Sequence, residues 1–328
     1  MSFDSKYYQI AENQLNDRKS ANQRLEEHNK REIEKNCPEI IEIQKALRGT
    51  MSSLIGLIGS NDPDFSRKTE ELRDENLRLQ GNLREALVRR GYPADFLDPI
   101  YTCKRCNDRG YVDGKRCDCF MTLVKKAAAA ELNRSFPMTL SGFEDFNLKY
   151  YDDKQITPFG VTVRDIMAEN LEFCKKYAEN FHLPCSGILM RGATGLGKTH
   201  LSLSIAKVVI EKGYSVVYGS ALDFFGKAEK EHFGGKERET IDILLNADLL
   251  ILDDIGAEFE SKFYNSLFYN ILNNRMNAAK PTIISTNCEL NELLQRYGDR
   301  IVSRLKTMDD LIFLGTDVRI LRASEHNS

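Results

Sequence analysis

Gly187-Ile-Leu-Met-Arg-Gly-Ala-Thr-Gly-Leu-Gly-Lys-Thr199 is the stretch whose reading decides the fold. Gly192, Gly197, Lys198 and Thr199 stand at the spacing G-x-x-x-x-G-K-[ST], directly after an apolar run and directly before a helix-like run from His200 to Lys212. With Ala193, Thr194, Gly195 and Leu196 between them, they form a loop whose amide N–H groups wrap a phosphate, in conformations costly for a residue carrying a Cβ. Lys198 supplies a point charge to the β- and γ-phosphates and Thr199 a hydroxyl to Mg2+, while the following helix aims its N-terminal dipole at the same anion. Strand, phosphate loop and helix in this order predict a site for a nucleoside triphosphate with Mg2+.

Beyond the loop, helix and strand signals alternate. Ser215–Gly219, Asp248–Asp253, Pro281–Thr286 and Asp310–Leu314 read as strands. Ala221–Lys230, Lys236–Asn246, Ser261–Ala279, Glu289–Tyr297 and Asp299–Lys306 read as helices. Near-continuous apolar strands alternating with helices predict a parallel sheet covered on both faces, with the ligand at the carboxyl ends of the strands. A helical run over 162–180 leads into the loop, and Phe143, Phe146, Tyr150 and Tyr151 form an aromatic linker ahead of it. Those aromatics pack either against a nucleotide base or against the domain itself.

Three strand ends supply the chemistry. Leu249-Leu-Ile-Leu-Asp-Asp254 is an apolar strand closing on paired acids: Asp253 is expected in the Mg2+ shell and Asp254 is expected to orient or deprotonate the attacking water. Ser285-Thr-Asn287 ends another strand at the same sheet edge, so Asn287 is placed to hydrogen-bond the water or the γ-phosphate. Arg300 and Arg304 lie four apart on one helical face, where an arginine can serve the γ-phosphate held by a neighbouring subunit. Arg319 is a further phosphate-contact candidate from the C-terminal segment.

Upstream, Ser5 to about Lys35 is polar with a thin apolar stripe, a helix mostly solvated or awaiting a partner. Ile40, Ile43, Leu47, Met51, Leu54 and Ile58 recur at steps of three or four. Gly59 and Asn61-Asp-Pro63 break the chain, and Leu72, Leu79, Leu83 and Leu87 begin a second run. An antiparallel helical hairpin over 36–90 follows, read as a protein-binding arm, with a spacer or oligomerisation stalk as the alternative. Cys103-Lys-Arg-Cys106 and Cys117-Asp-Cys119 then put four thiols in seventeen residues around a glycine-bearing turn, the pattern of a four-cysteine Zn2+ knuckle with a short hairpin. Lys104, Arg105, Arg109, Lys115 and Arg116 would offset the thiolate charge. Cys37, Cys174, Cys185 and Cys288 are scattered and read as packing residues.

The 328 residues suffice for about two domains. Residues 1–98 are expected to be the helical partner-binding region, 99–136 the zinc-binding segment with a connecting helix (Met121–Leu132), and 137–328 the ATPase domain. A net charge of −3 announces no nucleic-acid partner, so any basic DNA surface must be local or assembled. There is no run of eighteen apolar residues and no apolar signal core at the N-terminus, which predicts a cytoplasmic protein without a membrane partner.

Gly-Ala-Thr-Gly-Leu-Gly-Lys-Thr, Leu-Ile-Leu-Asp-Asp-Ile-Gly-Ala-Glu, Ile-Ser-Thr-Asn, Gly-Asp-Arg-Ile-Val-Ser-Arg-Leu and Gly-Thr-Asp-Val-Arg, in this order, resemble the AAA+ ATPases of the DnaC/DnaI helicase-loader group over roughly residues 137–322. The IstB transposition helpers are similar relatives. The helical front end and cysteine cluster are similar to Gram-positive-type loaders rather than to IstB proteins. The resemblance implies an α/β AAA+ ATPase domain behind a mainly helical N-terminal region. It implies ATP, Mg2+ and Zn2+ as cofactors, a DnaB-type replicative helicase as partner, self-association through the ATPase domain and a grip on single-stranded DNA. By position Arg304 matches the arginine finger, Arg300 its basic neighbour, Asn287 sensor 1 and Arg319 sensor 2. Asp254 stands where a Glu is commoner, which implies a slow, switch-like ATPase. An IstB-like transposition helper, and an adaptor for which ATP is only structural, are the competing readings.

Overall fold

The computed structural model describes residues 3–58, 64–136, 139–154, 156–158, 160–235, 238–258 and 261–326. The chain break expected at Gly59–Pro63 and the domain boundary expected at Pro137 lie outside the described residues. In chain order the described elements are α1 (Ser5–Asn36), α2 (Pro38–Ile58), α3 (Phe65–Arg89), β1 (Tyr111–Val112), β2 (Lys115–Arg116), α4 (Asp118–Ser135), α5 (Val163–Glu179), β3 (Ile188–Arg191) and α6 (Lys198–Glu211). There follow β4 (Val216–Ser220), α7 (Ala221–Phe233), α8 (Glu239–Asn246), β5 (Leu249–Ile255), α9 (Lys262–Asn277), β6 (Thr282–Thr286), α10 (Leu290–Tyr297), α11 (Asp299–Leu305), β7 (Asp309–Ile312) and α12 (Val318–His326). They form two compact units, Met1–Ala11 with Asp118–Ser328, and Glu12–Cys117. The helix α4, read from sequence as part of the cysteine segment, packs in the first of these.

That first unit is built on a five-stranded sheet in the order β4-β5-β6-β3-β7, every ladder parallel. Ile188, Met190, Leu249, Ile251, Ile283 and Leu311 are buried in one cluster with Met167, Leu171 and Cys174 of α5 and Leu201, Ile205 and Val209 of α6. The alternate residues Leu189, Leu250, Leu252 and Ile284 are buried as well, because successive side chains leave a strand on opposite faces. Two apolar faces need two helical layers, so these strands read as unbroken apolar runs. β3 has β6 on one side and β7 on the other, so its carboxyl end opens into the crevice where open α/β sheets bind ligands.

The second unit holds the hairpin of α2 and α3. Glu39 pairs with Arg90 through two hydrogen bonds at one end, and Asn76 donates to Thr50 further along, which makes the helices antiparallel. Ile33, Cys37, Ile40, Ala86 and Leu87 form its packed base. Towards the other end the apolar residues Met51, Ile55 and Ile58 are 57%, 65% and 69% exposed. The polar character of α1 has a structural reason: Asn29 donates to Phe96 O, Glu26 accepts from Ile100 N, Glu32 accepts from Tyr92 Oη, and Asn22 donates to Asp108. A polar stripe on this helix carries the chain of residues 92–108 through hydrogen bonds, in addition to the packing of Tyr92, Phe96 and Leu97 on the apolar cluster around Ile33.

Candidate functional site

The phosphate loop joins β3 to α6 by a path that only glycine follows cheaply. Gly192 has φ +147 and a Cβ there would lie 2.2 Å from Phe313 O; Gly197, at φ +91, would drive one to 2.6 Å from the Phe146 ring. Gly197 is the N-cap of α6, so the helix opens on the loop and its unpaired N–H groups face the site. A cavity of about 380 Å3 lies over it, lined among others by Thr194, Gly195, Leu196, Gly197, Lys198, Thr199, Asp253, Asp254, Asn287 and Arg319. Residues from four separate stretches of the sequence are thus brought to one place.

Within the cavity the polar groups form one network. Lys198 Nζ donates to Gly192 O (2.5 Å), Ala193 O (2.8 Å) and Asn287 Oδ1 (2.7 Å). Asn287 Nδ2 in turn donates to Asp254 Oδ1 at 2.9 Å, so the asparagine bridges the lysine and the second acid. Burial lowers the Lys198 pKa from the usual lysine value, partly countered by Asp254 and Asp253. Asp254 is raised above the ordinary aspartate value, first by burial and then by the charge of Asp253 beside it. Thr199 Oγ1 donates to both carboxylate oxygens of Asp253, at 3.1 and 2.9 Å. A hydroxyl and a carboxylate converging this way are the hard oxygen donors that suit Mg2+.

Arg319 reaches the cavity from α12, which is tied to the loop: Val318 N donates to Gly195 O at 3.0 Å, and Asp317 Oδ1 accepts from Arg319 N at 2.8 Å. Arg300 and Arg304 are not among the residues lining this cavity. Both lie on α11, where Arg304 stacks over Tyr269 (4.6 Å to the ring centroid) and donates to its hydroxyl and to Asn273 Oδ1.

Several lining residues were not singled out from the sequence as site residues. Tyr151 Oη donates to Leu196 O at 3.0 Å, Phe146 stacks on Tyr151, and both line the cavity while packing into the core. Of the two uses left open for the aromatic linker, the structure shows the packing against the domain, with the same two rings lining the cavity. Arg322 also lines the cavity, donates to Asp145 O and sits over Tyr150. Ser285 lies between the two acids. The sequence signal for Tyr151 and Arg322 was present, in the linker and one turn beyond Arg319, but neither falls at a motif spacing.

In the cysteine segment, the Sγ atoms of Cys103, Cys106, Cys117 and Cys119 all lie within 4.8 Å of one another. The Cys103 to Cys117 separation, 3.9 Å, is close to the edge of a tetrahedron with Zn–S bonds of about 2.3 Å. β1 and β2 pair as the short hairpin expected between the cysteine pairs. Asp108, 2% exposed, organises the knuckle: it accepts from Thr102 N and Cys103 N at 2.8 and 2.9 Å and from Asn22 of α1 at 3.0 Å. The other four cysteines are free thiols; Cys174 is fully buried, which pushes its pKa up to about 12.

A parallel sheet with a phosphate loop, paired acids on the next strand but one and a polar strand end beside them define an AAA+ P-loop ATPase. Residues 178–322 match the family model of the IstB-like ATP binding protein. The replicative helicase loader DnaC of Escherichia coli K12 is 29% identical over 144 residues, 43% of this chain and 58% of that protein. DnaC of Buchnera aphidicola (strain Bp) is 29% identical over 141 residues, 42% of this chain and 57% of the relative. A crystal structure of the DnaC helicase loader aligns at 27% identity and a TM-score of 0.44, over 52% of this chain and 98% of the other. Over residues 178–322 the chain is thus similar to DnaC-like AAA+ ATPases. The chain spans under two thirds of the length of these curated relatives. Among the described residues no helix is long and apolar enough to cross a membrane.

Proposed function

We propose that the chain is a cytoplasmic, ATP-dependent loader of a DnaB-type replicative helicase onto single-stranded DNA, and that it works as a slow ATPase switch. The observation carrying this reading is the 144-residue match to proteins named replicative helicase loader, beside a nucleotide network that lies within the residues 178–322 matched by the family model. In it Lys198 and the loop amides hold the phosphates, Thr199 and Asp253 hold Mg2+, and Asp254 with Asn287 orients the attacking water. Mg2+, when bound, neutralises charge on the β- and γ-oxygens. Arg304, with Arg300 beside it, serves the γ-phosphate of a neighbouring copy, which fits its position on α11 outside its own cavity. Arg319 contacts phosphate from α12. Asp254, one methylene shorter than a glutamate, makes turnover slow.

The exposed apolar end of the hairpin is the helicase-binding arm in this reading. Full-length protein captures the host helicase in an ATP-dependent pull-down, and Ile55→Glu with Ile58→Glu abolishes capture while leaving the helical circular dichroism intact. Capture undiminished by the double substitution removes the arm from the proposal. The IstB-like match supports a second reading, a transposition helper; capture of a transposase with its duplex DNA, and not of the helicase, would favour it.

The four thiols are assigned one Zn2+, with Asp108 holding the knuckle in shape. Metal analysis gives one zinc per chain, and Cys103→Ser loses it. Asp108→Ala weakens retention against a chelator by roughly 10–100-fold, the usual cost of removing an outer partner of a metal ligand. A wild-type chain purified without zinc under reducing conditions refutes the assignment.

A further inference from the structure

The β5–β6 ladder pairs Leu250 with Thr282, Ile251 with Ile283 and Leu252 with Ile284, and resumes at Ile255 with Thr286. Two residues of β5, Asp253 and Asp254, therefore stand against one residue of β6, Ser285. This is a β-bulge, and it lies on the two acids of the site. Asp254 takes φ +61, a left-handed conformation that glycine adopts more readily than a residue with a Cβ. A bulge interrupts the regular exchange of backbone hydrogen bonds, so the groups it frees need other partners.

Ser285, 1% exposed, supplies the partner for one of them, and Ala257 N donates to the Asp254 carbonyl. The Ser285 Oγ accepts the Asp254 N–H at 2.9 Å and donates its own hydrogen to Asp253 Oδ1. One hydroxyl uses a lone pair and its single hydrogen at once, and an ionised carboxylate can only accept, so the direction of both bonds is fixed. With Thr199 on the other side, Asp253 is held by two hydroxyls. The next residue makes a separate stitch: Thr286 Oγ1 donates to Ile255 O at 2.6 Å and accepts from Cys288 N at 3.0 Å, touching neither acid.

We propose that Ser285 is a positioning residue of the hydrolytic site, a single hydroxyl that fixes the metal-binding carboxylate of Asp253 and the left-handed backbone of Asp254 together. The proposal rests on the ATPase reading above, which assigns Mg2+ to Asp253 and water to Asp254. It also explains why an aspartate is tolerated at φ +61: the backbone that would relax is tied across the bulge to β6. A structural serine in a strand would stabilise the fold without distinguishing metal-loaded from metal-free nucleotide. A serine that aims Asp253 distinguishes them.

The test uses the full chain with a fluorescent ATP analogue, titrated first in EDTA and then with Mg2+, beside steady-state ATP turnover. Ser285→Ala is expected to bind metal-free nucleotide within about twofold of wild type. Its Mg2+ half-saturation rises and its turnover falls, each by roughly 10–100-fold, as for other partners of a metal ligand. Thr286→Val is expected to lower the melting temperature without moving the Mg2+ half-saturation. Wild-type Mg2+ affinity in Ser285→Ala overturns the proposal, and so does an equal loss of metal-free binding, which marks a structural role. If Ser285→Ala does not fold, the near-isosteric Ser285→Cys, a much weaker donor and acceptor, is read by the same measurements and the same criteria. Failure of the ATPase reading is separately visible as a wild-type chain with no Mg2+-dependent turnover, and the Mg2+ titration still decides the role of Ser285.

Discussion

Replacing Lys198 by alanine will weaken ATP binding by roughly two to three orders of magnitude and abolish turnover. The ammonium is the cation placed deepest in the loop, held by two loop carbonyls and by Asn287. A unit charge about 4 Å from a phosphate oxygen contributes ~4 kcal/mol at the effective dielectric of a partly buried site. Each ~1.4 kcal/mol is tenfold in affinity, so the full Coulomb figure is the upper end of the expected loss. A second effect acts on the acids: without Lys198, Asn287 loses its partner on one side, and Asp254 loses the charge that opposes its raised pKa. The measurement is a nucleotide titration followed by single-turnover hydrolysis with saturating ATP. Affinity within threefold of wild type would remove Lys198 from the phosphate site. Helicase capture and loading that survive the loss of ATP binding would instead favour the adaptor in which nucleotide is only structural.

The residues in that prediction were legible without coordinates because the chemistry of phosphate binding is written in consecutive positions. A loop that must wrap an anion needs its glycines, lysine and threonine at fixed offsets, and the acids close an apolar strand. The strand itself reads differently in space: expected to end at Asp253, β5 continues through the bulge to Ile255. Ser285 was unreadable for the same reason, since its role exists only once the register between β5 and β6 is known. Serine in a strand carries no signal of its own.

The front end separates along similar lines. The period of Ile40 to Ile58 and of Leu72 to Leu87 disclosed the hairpin, and the cysteine spacing disclosed the knuckle, because both are local patterns. The long polar helix α1 did not disclose its use. Its partners are backbone atoms, a tyrosine hydroxyl and an aspartate far along the chain, and hydrogen bonds to distant groups leave no periodic trace. Asp108 is the clearest instance: an acid among basic neighbours looks like a solvated loop residue, whereas it is buried and collects two backbone N–H groups beside the first cysteine.

Arg275→Met will be the most destabilising single change on the side of the sheet away from the nucleotide. Arg275, on α9, is fully buried, and its guanidinium donates to Leu244 O (2.7 Å), Ala247 O (2.8 Å), Pro281 O (2.6 Å) and Thr282 Oγ1 (3.0 Å). Lys280 donates to Leu245 O and Asn246 O. Between them the two cations take the four consecutive carbonyls at the end of α8, groups that a helix terminus leaves without internal partners. The negative end of the helix dipole favours cations there, which offsets part of the cost of burying a charge with no carboxylate bonded to it. Burial pulls the Arg275 pKa down to about 9, so the side chain is still charged at neutral pH. Methionine fills much of the same volume and donates nothing. Leu244 O, Ala247 O and the Thr282 hydroxyl would lose the arginine as donor, at about 1–3 kcal/mol for each group that stays buried and unpaired, while Pro281 O keeps the Leu250 N–H. Partial relaxation brings the expected total to ~3–5 kcal/mol, the range seen when one member of a buried polar constellation is removed. For a unit of this size that lowers the melting temperature by roughly 10 °C. Lys280→Met, with a half-buried side chain and two carbonyls involved, should cost less than half as much. A shift below about 2 °C for Arg275→Met, followed by thermal unfolding at neutral pH, would mean that water or repacking satisfies the end of α8. The arginine would then not be what fixes the turn from α8 into β5, the strand that carries Asp253 and Asp254.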